Sequence, residues 1–338
     1  MLYVVIFFFL VSIFLYCLFG GADFGAGIVE LTTGKENKNK VREIISSSIA
    51  PIWEANHIWL IISVVILFNG FPLIYTRIST SLYIPLILLL IGIVFRGSAF
   101  TFRHYDAIKD KSQKYYNLIF EFSSLMVPFF FGLIVGAVVS GKIKYNPANF
   151  YEGYIEPWLN PFSISLGIFI CTLFAFFAAV YLIGDSTDES DIKIFIRKSK
   201  NATLLMVISG ALVFAASYFE GTPLIFDFFS NPISIVLIVL ATGILPLLWN
   251  VVGKGHAWLS RILAGVQLLF IIGAFYVIYF PDLIVINDSP NLSFYNSAAP
   301  EITLLYLGIA LIAGSLLIFP SLIYLYRIFT VKQSFKSD

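Results

Sequence analysis

Charge is scarce in this sequence. Only 12% of its 338 residues are Asp, Glu, Lys or Arg, about half the share of a soluble domain. So few cannot coat a water-facing surface, which excludes a soluble globular protein. Cysteine is nearly missing: Cys17 and Cys171 stand alone inside apolar runs, which excludes a secreted disulfide scaffold. Lys+Arg number 21 against 20 Asp+Glu, so there is no basic excess for nucleic acid. What remains is hydrophobic: 59% of the residues, 35 of them Phe. The composition describes an all-α polytopic membrane protein, a single integral membrane domain over 1–338 with little mass outside the bilayer.

A spanning helix needs about 20 apolar residues. Nine segments qualify, roughly 2–31, 51–71, 77–103, 116–140, 162–184, 200–219, 231–250, 259–280 and 301–328. Met1 leads into Leu2–Leu18 with no charged n-region and no cleavage site, so the first segment is expected to stay as a helix. Lys and Arg favour cytoplasmic loops. The first loop holds Lys35, Lys38, Lys40 and Arg42, and the third Arg103, Lys109, Lys111 and Lys114. The fifth holds Lys193, Arg197, Lys198 and Lys200; Lys254 and Arg261 follow, then Arg327, Lys332 and Lys336 in the tail. The even-numbered loops hold only Arg77, Lys142 and Lys144. This alternation predicts an outside N-terminus and a cytoplasmic C-terminus. Within 38–49, Val41, Ile44, Ile45 and Ile49 share one helical face, as in a helix lying in the inner interface. The outer loops near 141–161, 220–230 and 281–300 are rich in Pro, Asn, Asp and Ser and read as turns.

An ionisable side chain in hydrocarbon is costly, so its position is informative. Asp23 falls in the inner half of helix 1, and Glu54 and His57 in the first turns of helix 2. Arg96 lies two turns before Arg103 on helix 3, about 10 Å deeper. Glu121 lies seven residues beyond Lys114 on helix 4. The predicted pattern is a polar inlet in helices 1–4 (about 1–140) and a packing half in helices 5–9 (about 160–330). Blander roles compete. Glu54 follows Pro51 and suits a helix N-terminus. His57 is spaced to bond Glu54, Arg96 to neutralise Asp23 or Glu121, and Arg103, His104 and Glu30 to sit at the interface. Trp53, Trp59, Trp158, Trp249 and Trp258 fit aromatic belts. Gly21 and Gly25 form a GxxxG, a signal only of close helix approach. His57, His104 and His256 crowd one end, and Met126 and Met206 offer no facing partner at matched depth. No haem and no metal is therefore expected on this chain.

Three stretches carry a family resemblance: Gly-Ala-Asp-Phe-Gly-Ala-Gly at 21–27, Pro-Ile-Trp-Glu-Ala-Asn-His-Ile-Trp-Leu at 51–60, and Phe-Arg-Gly-Ser-Ala-Phe-Thr-Phe-Arg at 95–103. Together they resemble subunit II of the cytochrome bd-type quinol oxidases. Tyr181-Leu182 and the outer segment from Phe280-Pro281 through Asn291-Leu292-Ser293 and Ala298-Ala299 to Thr303 fit as well. The resemblance implies nine spans in two four-helix bundles plus a peripheral helix, in a bacterial or archaeal cytoplasmic membrane. It implies a partner subunit I that carries two b-type haems and a d-type (or further b-type) haem, and in some complexes a small single-span subunit. The complex oxidises quinol, reduces oxygen to water and builds a proton-motive force. Subunit II binds no haem, steadies subunit I and lines a cytoplasmic proton route.

On that reading Glu54 and His57 form the proton entrance, Asp23 and Glu121 extend it, and Arg96 and Arg103 orient the charges. Trp53, Asn56, Trp59, Gly21 and Gly25 are motif positions. Two departures mark a divergent branch. Gly20 stands where the family often has an acidic residue, and His57 where it often has Glu or Gln; imidazole can itself carry protons near neutral pH. A different class, a secondary transporter with an inner polar binding cluster, expects broken helices in two related halves. The one-sided distribution of charge argues against it.

Overall fold

The computed structural model of the chain describes residues 1–50, 53–105 and 112–334. Pro51, Lys109, Lys111 and Lys336 lie outside them, as do the side chains of Arg327 and Lys332. Among the described residues, nine helices are long and apolar enough to cross a bilayer: Leu2–Leu31, Trp53–Gly70, Tyr83–His104, Gln113–Val139, Pro161–Asp185, Glu189–Glu220, Pro232–Gly253, Ala257–Tyr279 and Glu301–Leu325. They are called helices 1 to 9.

Two boundaries differ from the sequence reading, each for a local reason. The third segment was expected from 77, but Pro72–Ser81 is a separate helix. Pro72 starts it, being pre-set for a first helical turn. It ends where Leu82 leaves helical geometry at φ −115° and ψ 24°. The sixth segment was expected from 200 and begins at Glu189. Hydropathy sees only its apolar part, whereas Glu189 and Asp191 in the first turn favour a helix N-terminus. The amphipathic helix is Lys35–Ile49, with Val41, Ile45 and Ile49 buried and Ile44 partly so. Two expected belt tryptophans are instead buried in the protein: Trp59 against Phe319, and Trp158, whose Nε1 donates to the Tyr154 carbonyl.

Helix 5 is the centre. It packs on helices 1, 4 and 6, while helix 3 packs on helix 4 and helix 7 on helix 8. Its most apolar stretch is 67% buried, against 11% for helix 9 at the periphery. Glycine permits the closest approach. A Cβ on Gly132 of helix 4 would stand 2.6 Å from the Gly167 Cα of helix 5, so a larger residue would force the pair apart. Asn160 caps helix 5 by accepting from the Ser163 amide, ahead of Pro161 at the first position.

The end poor in Lys and Arg is closed by a platform. Asp282–Ile284 pairs antiparallel with Leu292–Ser293, and Phe294 fills a pocket against Phe9 and Phe71. The Asp288 carboxylate accepts from the Tyr145 and Asn146 amides at 2.7 and 3.1 Å, which lowers its pKa. Lys144 does the same for Glu152 at 2.9 Å. A depressed carboxylate pKa stabilises above the ordinary range, and that contribution is lost as pH falls through the depressed value. Amide exchange at Tyr145 and Asn146, corrected for its intrinsic rate, should therefore accelerate below about pH 4. Asp288→Asn should already exchange fast at neutral pH. Equal protection in both proteins at every pH would rule the contact out as an anchor.

Candidate functional site: two polar clusters at the basic end

Helix 1 is built unevenly. A π-helical turn, Tyr16–Gly20, separates its first part from Gly21–Leu31; such turns often accompany functional positions. Past it, the glycines set the packing. The Phe174 ring covers Gly21, and a methyl group on Gly25 would collide with the Phe174 carbonyl. The GxxxG is thus the seat of helix 5. The Asp23 side chain is left to meet helix 2, and its carbonyl helix 3.

Asp23 is 3% exposed. Asn56 Nδ2 donates to its Oδ2 at 2.8 Å, and Arg96 Nη2 donates to its main-chain carbonyl at 2.8 Å. Asp23 and Arg96 each lie eight residues from the basic end of their helices, about 12 Å deep, which is why they meet. Arg96 is 1% exposed. Its Cζ lies 4.8 Å from the Phe24 ring centre and 5.3 Å from that of Phe120, and such contacts offset part of its desolvation. Arg96 Nε and Nη1 and the Tyr16 hydroxyl are buried with no hydrogen-bond partner among the described residues. Buried donors are rarely left unpaired, so three together mark a spot suited to internal water.

Helix 2 opens with one turn, Trp53–Asn56, then breaks at His57 before Ile58–Gly70. Glu54 is exposed on that turn and makes no ion pair among the described residues. His57 does not bond Glu54. Its Nδ1 lies 2.9 Å from the Trp53 carbonyl, and its ring meets the Phe24 and Trp53 rings edge-on. Trp53 also covers Gly97 and tilts against Phe100.

The second cluster joins residues that the sequence reading kept apart. Glu30, expected at headgroup level, is fully buried. Arg103 Nη1 donates to both its oxygens at 3.0 and 2.8 Å, and Arg42 Nε donates at 2.7 Å. Glu121 does not face Asp23 or Arg96. Lys38 Nζ reaches its Oε2 at 2.8 Å and Arg42 Nη2 its Oε1 at 3.4 Å. Arg103 also donates to Ser46 Oγ at 3.3 Å and lies 4.0 Å from the Phe120 ring centre. Phe120 therefore stands between Arg96 and Arg103 and separates the two clusters. Lys40, from the same amphipathic helix, binds Asp191 of helix 6 at 2.7 Å, so the charged layer extends beyond the first four helices.

Glu30, Lys38, Arg42 and Tyr16 were missed as site residues. Lys38 and Arg42 looked like ordinary loop cations. Their one available signal was the i, i+4 spacing on the polar face of an amphipathic helix, which cannot say what that face meets. Each histidine has its own neighbour. His57 is held by Trp53, His104 stacks on Phe100, and His256 precedes helix 8. Neither the crevice between helices 4 and 6 nor the one between helices 6, 7 and 8 is lined by histidine. Among the described residues no three His, Cys, Asp or Glu side chains form a metal-holding group.

The chain is 26% identical to cytochrome bd ubiquinol oxidase subunit 2 of Bacillus subtilis over 326 residues, covering 94% of this chain and 92% of that one. It is 28% identical over 169 residues to cytochrome bd-I ubiquinol oxidase subunit 2 of Escherichia coli K12, covering 48% and 43%. Its fold matches a chain of the bd oxidase from Geobacillus thermodenitrificans with a TM-score of 0.77 at 21% identity, covering 96% and 98%. The sequence model for cytochrome bd terminal oxidase subunit II matches residues 1–329. That match sets aside the transporter alternative. With nine spans, the charged motifs gathered at one end and a family match along almost its whole length, the chain belongs to the cytochrome bd terminal oxidase subunit II family.

Proposed function

We propose that this chain supports a haem-bearing subunit I in a quinol:oxygen oxidoreductase and lines the path by which protons reach it. The basic end faces the cytoplasm, in a bacterial cytoplasmic membrane. The two b-type haems and one d-type (or further b-type) haem are assigned to subunit I; among the described residues of this chain no three His, Cys, Asp or Glu side chains form a metal-holding group. Quinol is oxidised and oxygen reduced to water in that subunit, with quinol protons released outside.

Oxygen reduction consumes protons, and a chain of carboxylate and water carries them into hydrocarbon without a bare charge. The route runs from exposed Glu54, past His57 and Asn56, to Asp23. Arg96 acts as a positioning residue through the Asp23 carbonyl. Glu121 and Arg103 are placed outside the route. Both Glu121 oxygens are taken by Lys38 and Arg42, and Arg103 is spent on Glu30, so these side chains clamp the amphipathic helix to helices 1, 3 and 4. One observation carries the reading: a buried aspartate joined to the first turn of helix 2, with unpaired buried donors beside it.

The test is Glu54→Gln in the intact two-subunit complex. Turnover should fall several-fold, most at alkaline pH where proton donors are scarce, with the haem absorbance unchanged. A variant that keeps the full rate at neutral and alkaline pH would reduce Glu54 to a helix cap.

A further inference from the structure

A crevice of about 1480 Å³ runs between helices 1, 3, 4, 5 and 6. It is larger than an ordinary small-molecule pocket. Neither polar cluster opens into it, and the proton route does not use it. Its floor and walls are apolar, among them Met126, Phe129, Phe130 and Ile168. Its mouth, at the basic end, is cationic.

The cations come from one stretch of helix 6. Lys193, Arg197 and Lys198 all line the mouth, and the i, i+4 spacing of Lys193 and Arg197 keeps those two on one face. Arg197 is exposed and has no ion pair among the described residues. Among the described residues Lys193 pairs only with the exposed Glu189, at 3.7 Å. Lys198 Nζ is tied to helix 1, donating to the Val29 carbonyl at 3.3 Å and to Thr32 Oγ1 at 3.1 Å. Thr32, Thr33 and Asn37 complete the polar rim.

The length is informative. From Lys193 to Leu205 on helix 6 the lining covers about 18 Å, and from Ile119 to Phe130 on helix 4 about 16 Å. That is about one leaflet of hydrocarbon, roughly half of 30 Å. The crevice is a one-leaflet apolar trough with positive charge at the depth of the headgroups. We propose that it binds an anionic phospholipid of the leaflet at the basic end, with the phosphate held by Arg197 and Lys193 and the acyl chains laid along helices 4 and 6. A soluble anion would have no use for the trough. A neutral isoprenoid would leave the cations unmatched, and a packed apolar helix would bury them at a cost. Basic recesses between spanning helices are suited to anionic lipid headgroups.

The test uses the intact two-subunit complex, purified in mild detergent, with bound lipid quantified by mass spectrometry. The wild type should retain phosphatidylglycerol or cardiolipin. Lys193→Gln with Arg197→Gln should retain at least fivefold less, with haem absorbance and zwitterionic lipid content unchanged. Leu205→Trp fills the trough at an exposed position and leaves the charges in place; it should lose the anionic lipid as well. In nanodiscs, phosphatidylglycerol should raise the melting temperature of the wild type over phosphatidylcholine, and should not do so for either variant. Equal retention of anionic lipid by all three proteins would overturn the proposal. So would loss in the charge variant alone, which would mean attraction to the surface without a seat, or a neutral isoprenoid as the retained molecule.

Discussion

Arg103→Ala should leave little assembled complex, with a loss of about 3–5 kcal/mol, as when one partner of a buried ion pair is removed. Glu30 is fully buried and receives two of its three hydrogen bonds from the Arg103 guanidinium. Arg42 is partly exposed and already shared with Glu121, so it cannot satisfy Glu30 alone. The stranded carboxylate would then draw water between helices 1, 3 and 4. Arg103→Lys should recover only part of the loss, since a point charge cannot reproduce the fork. Glu30→Gln combined with Arg103→Gln should be milder than Arg103→Ala, because no unpaired charge remains buried. The readout is the fraction of intact complex surviving a heat step, by size exclusion and haem absorbance. If Arg103→Ala survives like the wild type, the clamp is ornamental and these charges need another explanation.

Asp23→Asn separates chemistry from structure. The replacement keeps an oxygen that can accept from Asn56 Nδ2 and leaves the carbonyl that receives Arg96 unchanged. It removes a group that can bind and release a proton. Quinol oxidase turnover should fall about 100-fold or more, in line with the loss of a positioned proton carrier. Haem content and assembly should stay normal. Asn56→Ala should cost less, because water can fill the space and still reach Asp23. Wild-type turnover in Asp23→Asn would mean that protons reach the haem subunit by another way, and Asp23 would then serve only as the anchor for helix 2.

The spans were legible because each is a continuous apolar run, and hydrocarbon demands nothing else of a single helix. Errors came where structure does not follow hydropathy. A proline start set Pro72–Ser81 apart from helix 3, and a charged first turn carried helix 6 back to Glu189. Asp23, Arg96 and Asn56 could be singled out one at a time, the first two by the cost of a buried charge and the third by its motif. Their contact could be argued only from matched depth. The partners of Glu121 were not legible because depth along helix 4 is readable while its rotation is not, and rotation turns it toward Lys38 and Arg42.

Composition and the spacing of apolar runs dictate a nine-span membrane helical chain with its charge at one end. These are properties of single segments in a solvent, and they need no knowledge of neighbours. Folding in three dimensions selects which charges share a pocket. It divides the basic end on either side of Phe120, sends Arg96 to a main-chain carbonyl and Arg103 to Glu30, and opens the cationic trough beside helix 6. Those outcomes depend on helix rotation and close approach at glycine. Both arise from side-chain packing between segments far apart in the chain, which no local pattern encodes.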